Sequence, residues 1–138
     1  MTLRAALRAA RHVGRRGAAL LFLAEVDLFY AASLLWPSPA AARTPSNLFF
    51  ASLLPLDVWA AMWAIVGVVC IVYAFRHHDR VAFVAAIGVK TLWAGLAIIG
   101  VFAGGVPVST PAIWISFGGF VWLVSDWRDP DDHWTMRS

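Results

Sequence analysis

Four long apolar segments constrain this chain more than any other feature of its sequence. They cover about residues 17–36, 55–75, 81–103 and 111–127, and short polar or proline- and glycine-containing connections separate them. A transmembrane helix needs about 20 mainly apolar residues, because the hydrocarbon core is about 30 Å thick. Hydrophobic residues make up 61% of the chain and charged residues 14%, against about 45–50% and about 25% in soluble domains. We therefore predict an all-α polytopic membrane protein, a four-transmembrane-helix bundle.

The polar segments divide the chain into three parts. Residues 1–16 form a basic N-terminal segment, residues 17–127 the transmembrane domain and residues 128–138 a polar tail. Arginines recur at helical spacing near the N-terminus, which predicts either a short interfacial helix over 3–15 or a charge cluster without fixed structure. Residues 46–54 are apolar but too short to span a bilayer, which predicts either a short interfacial or re-entrant helix or an early turn of the second span.

The distribution of arginines predicts the orientation. Nine of the ten arginines precede the first span or lie in the 76–80 turn or the tail, and only Arg43 lies in a loop on the other side. By the positive-inside rule, both termini face the cytoplasm of a bacterial inner membrane. A basic N-terminus is also typical of a secretory signal, but the apolar run exceeds the usual h-region of about 7–15 residues. A retained anchor is therefore favoured.

The same arginines predict lipid contacts, because basic side chains beside membrane helices bind anionic headgroups. The expected headgroup contacts are Arg4, Arg8, Arg11, Arg15, Arg16, Arg76 and Arg80.

Three ionisable residues interrupt the apolar segments, namely Glu25, Asp27 and Lys90. Each lies about 12–15 Å along its helix from the inner end, at 1.5 Å per residue, and so near the middle of a bilayer. A lone charge there costs about 2.5–3.5 kcal/mol on insertion scales. We therefore predict that Lys90 pairs with one acid. Residues two positions apart on a helix point about 200° apart, so Lys90 cannot form an ion pair with both acids.

The second acid needs a different solution, which is protonation, a hydrogen bond or a partner subunit. The candidate hydrogen-bonding groups are Tyr30, Ser33, Thr91 and Trp93. Two interpretations of the charged trio stay open. It either sets helix register and assembly, or it forms a proton- or ion-coupled site.

Several kinds of chemistry lack a signature in this sequence. There is no GxSxG, HExxH, P-loop or GxGxxG motif, so we predict that the chain is not an enzyme. The single cysteine, Cys70, excludes an internal disulfide. The pair His77 and His78 beside Asp79 offers too few ligands for a metal. We expect no metal, cofactor or nucleic acid, and the expected partners are the bilayer and either a second copy or another membrane protein.

Two resemblances are carried by short motifs. The motif LAEV at 23–26, followed by LWPS at 35–38, is similar to the first helix of the small multidrug resistance transporters. That resemblance implies that Glu25 is a shared proton and cation site. The chain departs from that family in its longer loop after the first span and in the extra charges of Asp27 and Lys90.

The second resemblance covers roughly residues 15–100. The segments VDLFYAASLLWP, PLDVWAAMW, AFRHHDRVAF and VKTLWAGL resemble uncharacterised four-span proteins of actinobacteria and their phages or prophages. A phage setting implies a holin-like role. The sequence thus predicts a small inner-membrane protein with an assembly or interaction role, phage-associated and holin-like. The alternative is a proton- or ion-coupled transporter subunit that uses Glu25 or Asp27.

Overall fold

The computed structural model describes residues 14–76 and 79–126, and all regular structure in these ranges is helical. The all-helical prediction is confirmed for this part of the chain. The helices are α1 (Arg15–Leu35), α2 (Pro39–Ala42), α3 (Pro45–Leu53), α4 (Leu56–Ala74), α5 (Arg80–Phe102) and α6 (Ser109–Ser125).

The four longest helices occupy the four apolar segments of the sequence. Helices α1, α4 and α5 have 21, 19 and 23 residues, and each is long and apolar enough to cross a membrane by length and composition. Helix α6 is apolar but shorter, with 17 residues. Helix α3 coincides with the short helix expected at 46–54. Of the helix expected at 3–15, residues 3–13 lie outside the described residues.

Small residues let the long helices approach one another closely. Helix α1 packs antiparallel against α4, α4 against α5 and α5 against α6. At the contact between α1 and α4, a Cβ added to Gly67 would lie 2.9 Å from Leu28 Cγ and 3.3 Å from the Ala24 carbonyl oxygen. Glycine therefore sets the spacing between α1 and α4, as small residues do in packed membrane helices.

Helix ends follow local chemistry. The hydroxyl of Thr44 caps α3 by accepting a hydrogen bond from the Asn47 amide, and Pro45 occupies the first helical position. At the end of α5, Gly104 adopts φ +74°. The amides of Gly104 and Gly105 donate to the carbonyls of Val101 and Gly100, which is the Schellman arrangement that ends a helix.

The bundle is apolar on its outside as well as in its core. Many large hydrophobic side chains are exposed on the long helices, including Phe29, Ile65, Val84 and Trp122. Helices that are hydrophobic all round belong either to the interior of a large protein or to a membrane. The described helices have this pattern, and their outer surface is suited to lipid.

Candidate functional site

Asp27 on α1 and Lys90 on α5 meet inside the bundle. The Lys90 Nζ donates a hydrogen bond of 2.6 Å to Asp27 Oδ1, and neither side chain is exposed. They are the two buried charged residues in the described part of the chain. The pair joins two helices that are separated by 63 positions in sequence, so it fixes how α1 and α5 are placed relative to each other.

Aromatic rings enclose the ammonium of Lys90. Its Nζ lies 5.2 Å from the ring centroid of Trp63 and 5.2 Å from that of Phe117. A cation over an aromatic face is attracted by the quadrupole of the ring, and desolvation strengthens the attraction. On the α6 side, Gly118 lies beside the stem of Lys90, and an added Cβ would be in ordinary van der Waals contact with Lys90 Cβ at 3.9 Å.

A larger aromatic cluster covers one side of the ion pair. The rings of Trp63 and Trp114 lie 4.7 and 5.0 Å from the ring of Tyr30, both in edge-on arrangements. The ring of Phe50 stacks on Trp93 at 3.9 Å with an interplanar angle of 9°. Edge-to-face and stacked pairs each stabilise packing beyond simple burial. The cluster therefore ties α1, α3, α4, α5 and α6 together at the level just beyond the charges.

Not every polar atom near the pair is satisfied. Asp27 Oδ2 and Trp63 Nε1 are buried and have no hydrogen-bond partner among the described residues. An unsatisfied buried polar atom costs about 1–3 kcal/mol, and burial of both charges has a desolvation cost of its own. The pair is therefore better explained as a device for helix register than as a large source of stability.

Glu25 points away from this interior. It is exposed on α1, in an open cleft whose lining includes Phe22, Phe29 and Ser33. It has no hydrogen-bond or ion-pair partner among the described residues. The separation of about 200° between positions i and i+2 accounts for this, because burial of Asp27 turns Glu25 outward. The sequence left open which acid meets Lys90, and the structure assigns Asp27.

The four expected supporting groups contact neither acid by a hydrogen bond. The hydroxyl of Ser33 donates to the Tyr30 carbonyl at 2.7 Å, within its own helix. Thr91 is exposed. Tyr30 and Trp93 belong to the aromatic cluster, with ring centroids 5.6 Å apart. The polar side chains near the trio thus serve helix and ring packing, and Asp27 accepts a hydrogen bond only from Lys90 in the described region.

The arginines take several different roles. Arg16 lies against Asp79, with Nε 2.7 Å from Oδ2 and a hydrogen bond of 2.8 Å to Oδ1, which clamps the start of α1 to the start of α5. Arg76 lies 5.5 Å over the Tyr73 ring. Arg15 and Arg80 are exposed at the same end. Three of the expected headgroup contacts lie outside the described residues, namely Arg4, Arg8 and Arg11.

Two contacts of the site were not predicted from the sequence. The pairing of Arg16 with Asp79 is one. The other is the contact of Trp59 with α3. Trp59 is 6% exposed, and its indole N–H donates to the Phe50 carbonyl at 3.1 Å. The apolar run that forms α3 was the available signal, because a helix too short to span can cover the end of a bundle.

The residues 14–76 and 79–126 contain no group of three or more His, Cys, Asp or Glu side chains that could hold a metal ion. His77 and His78 lie outside them. The free thiol of Cys70 is buried.

No protein-family model, curated protein or solved structure matches this chain.

Proposed function

We propose that this chain is a small integral protein of a bacterial inner membrane, with four spans and both termini in the cytoplasm. Its proposed role is assembly with a second copy or with another membrane protein. The three helices of spanning length support the membrane location. Helix α6, with 17 residues, lies at the short end of the range for a spanning helix. The apolar outer surface supports the same placement.

The outward position of Glu25 carries the assembly role. The residue is the eleventh of 21 in α1, so it would face lipid near the middle of the bilayer. A charged group in that position costs about 2.5–3.5 kcal/mol on insertion scales. A partner that supplies a hydrogen bond or shares a proton relieves this cost, and polar side chains promote helix association in membranes for this reason. Because Asp27 and Lys90 are fully buried, Glu25 is the acid left to make such a contact.

Association between copies tests this role. Donor- and acceptor-labelled protein is mixed in liposomes and energy transfer is measured against dilution with lipid. Glu25→Leu is expected to weaken association by about five- to thirty-fold, since interhelical hydrogen bonds contribute about 1–2 kcal/mol in model peptides. Glu25→Gln keeps the hydrogen-bonding capacity and should retain most of the association.

The matched control is Ser116→Leu, which removes another exposed polar side chain from the middle of a helix, on α6. It should leave energy transfer unchanged. The assembly role is wrong if two results are found together. Wild-type and Glu25→Leu proteins associate equally, and a pull-down with the wild type recovers no membrane protein that the Glu25→Leu protein fails to recover.

The holin-like form of this role follows from the resemblance to phage-associated proteins. It predicts that induced expression stops growth and permeabilises the membrane at a defined time. Normal growth with an intact membrane potential would contradict the holin-like role but not the more general assembly role.

The alternative is proton- or ion-coupled transport that uses Glu25 or Asp27. The unpartnered Asp27 Oδ2 favours it, because a buried carboxylate oxygen of this kind can accept a proton. The tight aromatic packing around the pair supports the assembly role instead. Flux through liposomes that falls in either the Glu25→Gln or the Asp27→Asn protein would favour transport, and unchanged flux in both would exclude it.

A further inference from the structure

A groove of mixed character runs between the first half of α5 and the last half of α6. Its volume is about 410 Å³, within the roughly 300–1,000 Å³ of sites that bind small molecules. Helix α5 contributes Arg80, Val84 and Ile87, α6 contributes Trp122, and Asp126 follows the last residue of α6. Arg80 and Ile87 are about 10 Å apart along the helix axis. The groove is therefore charged at the end of the bundle and apolar deeper along it.

Apart from Arg16, which is paired with Asp79, the mouth of the groove presents one cation and one anion. Arg80 and Asp126 are both exposed, both line the groove, and neither has an ion-pair or hydrogen-bond partner among the described residues. Arg16, which also lines the groove, is instead held by Asp79. A purely anionic ligand would be attracted by Arg80 but repelled by Asp126. A ligand that carries both a negative and a positive charge matches the mouth better.

The walls below the charges suit a hydrocarbon chain. Val84 is 69% exposed and Trp122 is 65% exposed, so the groove opens sideways along its apolar length. Tryptophan is enriched at the level of lipid headgroups, where its amphipathic ring contacts both polar and apolar surroundings. The ligand that this surface fits has a polar end with two charges and a long apolar tail.

We propose that the groove binds one phosphatidylethanolamine molecule, with its phosphate at Arg80 and its ammonium at Asp126. Guanidinium groups bind phosphate oxygens through charge-assisted hydrogen bonds, and carboxylates accept them from ammonium N–H groups. The acyl chain lies along Val84, Ile87 and Trp122. Phosphatidylglycerol lacks the ammonium, and phosphatidylcholine has a cation without N–H donors. This inference rests on the membrane location proposed above.

Lipid selectivity tests the proposal. The full chain is purified in micelles that contain equal amounts of phosphatidylethanolamine, phosphatidylcholine and phosphatidylglycerol, and native mass spectrometry measures which lipid it retains. Phosphatidylethanolamine should exceed phosphatidylglycerol by about two- to five-fold, the factor expected for one exposed ion pair. Arg80→Gln and Asp126→Asn should each reduce its retention by a similar factor, and Asp126→Asn should also raise the share of phosphatidylglycerol.

The matched control is Arg76→Gln, which removes an exposed arginine at the same end that lies over Tyr73 and outside the groove. It should leave the lipid ratios unchanged. Equal retention of the three lipids by the wild type, or ratios unaffected by Arg80→Gln and Asp126→Asn, would overturn the proposal and leave the groove to bulk lipid or to residues 127–138. Membrane fractionation of the cells that express these proteins tests the membrane location separately from the lipid site. Protein that sediments with membranes but lacks selectivity overturns only the lipid site, whereas protein absent from membranes overturns both.

Discussion

At the scale of single residues, the side chains of Asp27 and Lys90 place opposite charges inside a bundle whose other buried side chains are apolar or aromatic. Their 2.6 Å contact compensates part of the desolvation cost. Asp27 Oδ2 lacks a partner in the described region, so the compensation is incomplete. Pairs of this kind are often replaceable by apolar residues without loss of stability, whereas removal of one partner alone is strongly destabilising. This asymmetry provides a direct test.

Lys90→Met should lower the free energy of unfolding by about 3–5 kcal/mol, because it leaves the carboxylate of Asp27 buried without its partner. Adding Asp27→Leu to Lys90→Met should restore most of that loss. Unfolding of the purified protein in mixed micelles, followed by circular dichroism, measures both values. Adding Glu25→Gln instead is the control, and it should restore nothing because Glu25 faces outward. Equal recovery from either second change would contradict the pairing of Lys90 with Asp27.

At the scale of helices, glycines differ according to the surface on which they lie. Gly67 faces α1, where an added Cβ would lie 2.9 Å from Leu28 Cγ. Gly95, in the middle of α5, has nothing within 4 Å of an added Cβ. Alanine is the better helix former by about 1 kcal/mol. The same substitution should therefore have opposite effects at the two positions.

Gly67→Ala should destabilise the bundle by about 1–3 kcal/mol, because the extra methyl forces α1 and α4 apart. Gly95→Ala should be neutral or slightly stabilising. Thermal unfolding in detergent compares the two variants at matched concentration. A Gly67→Ala protein that is as stable as Gly95→Ala would show that α1 and α4 are not in close contact.

Phe50 attaches helix α3 to the bundle, together with Phe49, which packs against the end of α5. Phe50 is 2% exposed, stacks on Trp93 and provides the carbonyl that accepts the Trp59 indole N–H. Phe50→Ala should weaken this attachment by roughly 3 kcal/mol. Hydrogen exchange of the α3 amides should then accelerate by up to about 100-fold. Leu48→Ala on the exposed face of α3 is the control, and similar acceleration in both variants would contradict the anchoring role of Phe50.

At the scale of the whole molecule, apolar surface covers both the interior and the outside of the bundle. In water, an exposed apolar surface of this extent would drive aggregation. In a bilayer it faces lipid, and the polar ends of the helices then lie at the two membrane surfaces. The arginine-rich ends are expected on the cytoplasmic side, where positive charge is retained.

Cysteine labelling tests this orientation. In a Cys70→Ala background, Ala40→Cys places a thiol between α1 and α4, and Arg76→Cys places one after α4. A membrane-impermeant maleimide should label position 40 in intact cells, and it should label position 76 only after the inner membrane is opened, because the positive-inside rule places the 76–80 turn in the cytoplasm. The reverse pattern would show inverted insertion, and equal labelling of both sites in intact cells would contradict a spanning α4.

The sequence by itself determined the helical class, the positions of the long helices and the opposite directions of Glu25 and Asp27. These features depend on local properties, namely hydropathy over about 20 residues and the fixed angle between neighbours on one helix. The glycine stop after α5 is local as well, since only a residue that tolerates positive φ ends a helix in this way.

Only the tertiary structure decided that Lys90 pairs with Asp27 and that Arg16 pairs with Asp79. It also decided that α3 packs over the aromatic cluster, and that Arg80 and Asp126 line the same groove. Each of these contacts depends on the rotation of a helix about its own axis. A helix that is apolar all round has no polar face opposite a hydrophobic one. Its sequence therefore hardly indicates how the helix is rotated in the bundle. The rotations are set instead by contacts between distant segments, such as Gly67 against Leu28 and Phe50 against Trp93.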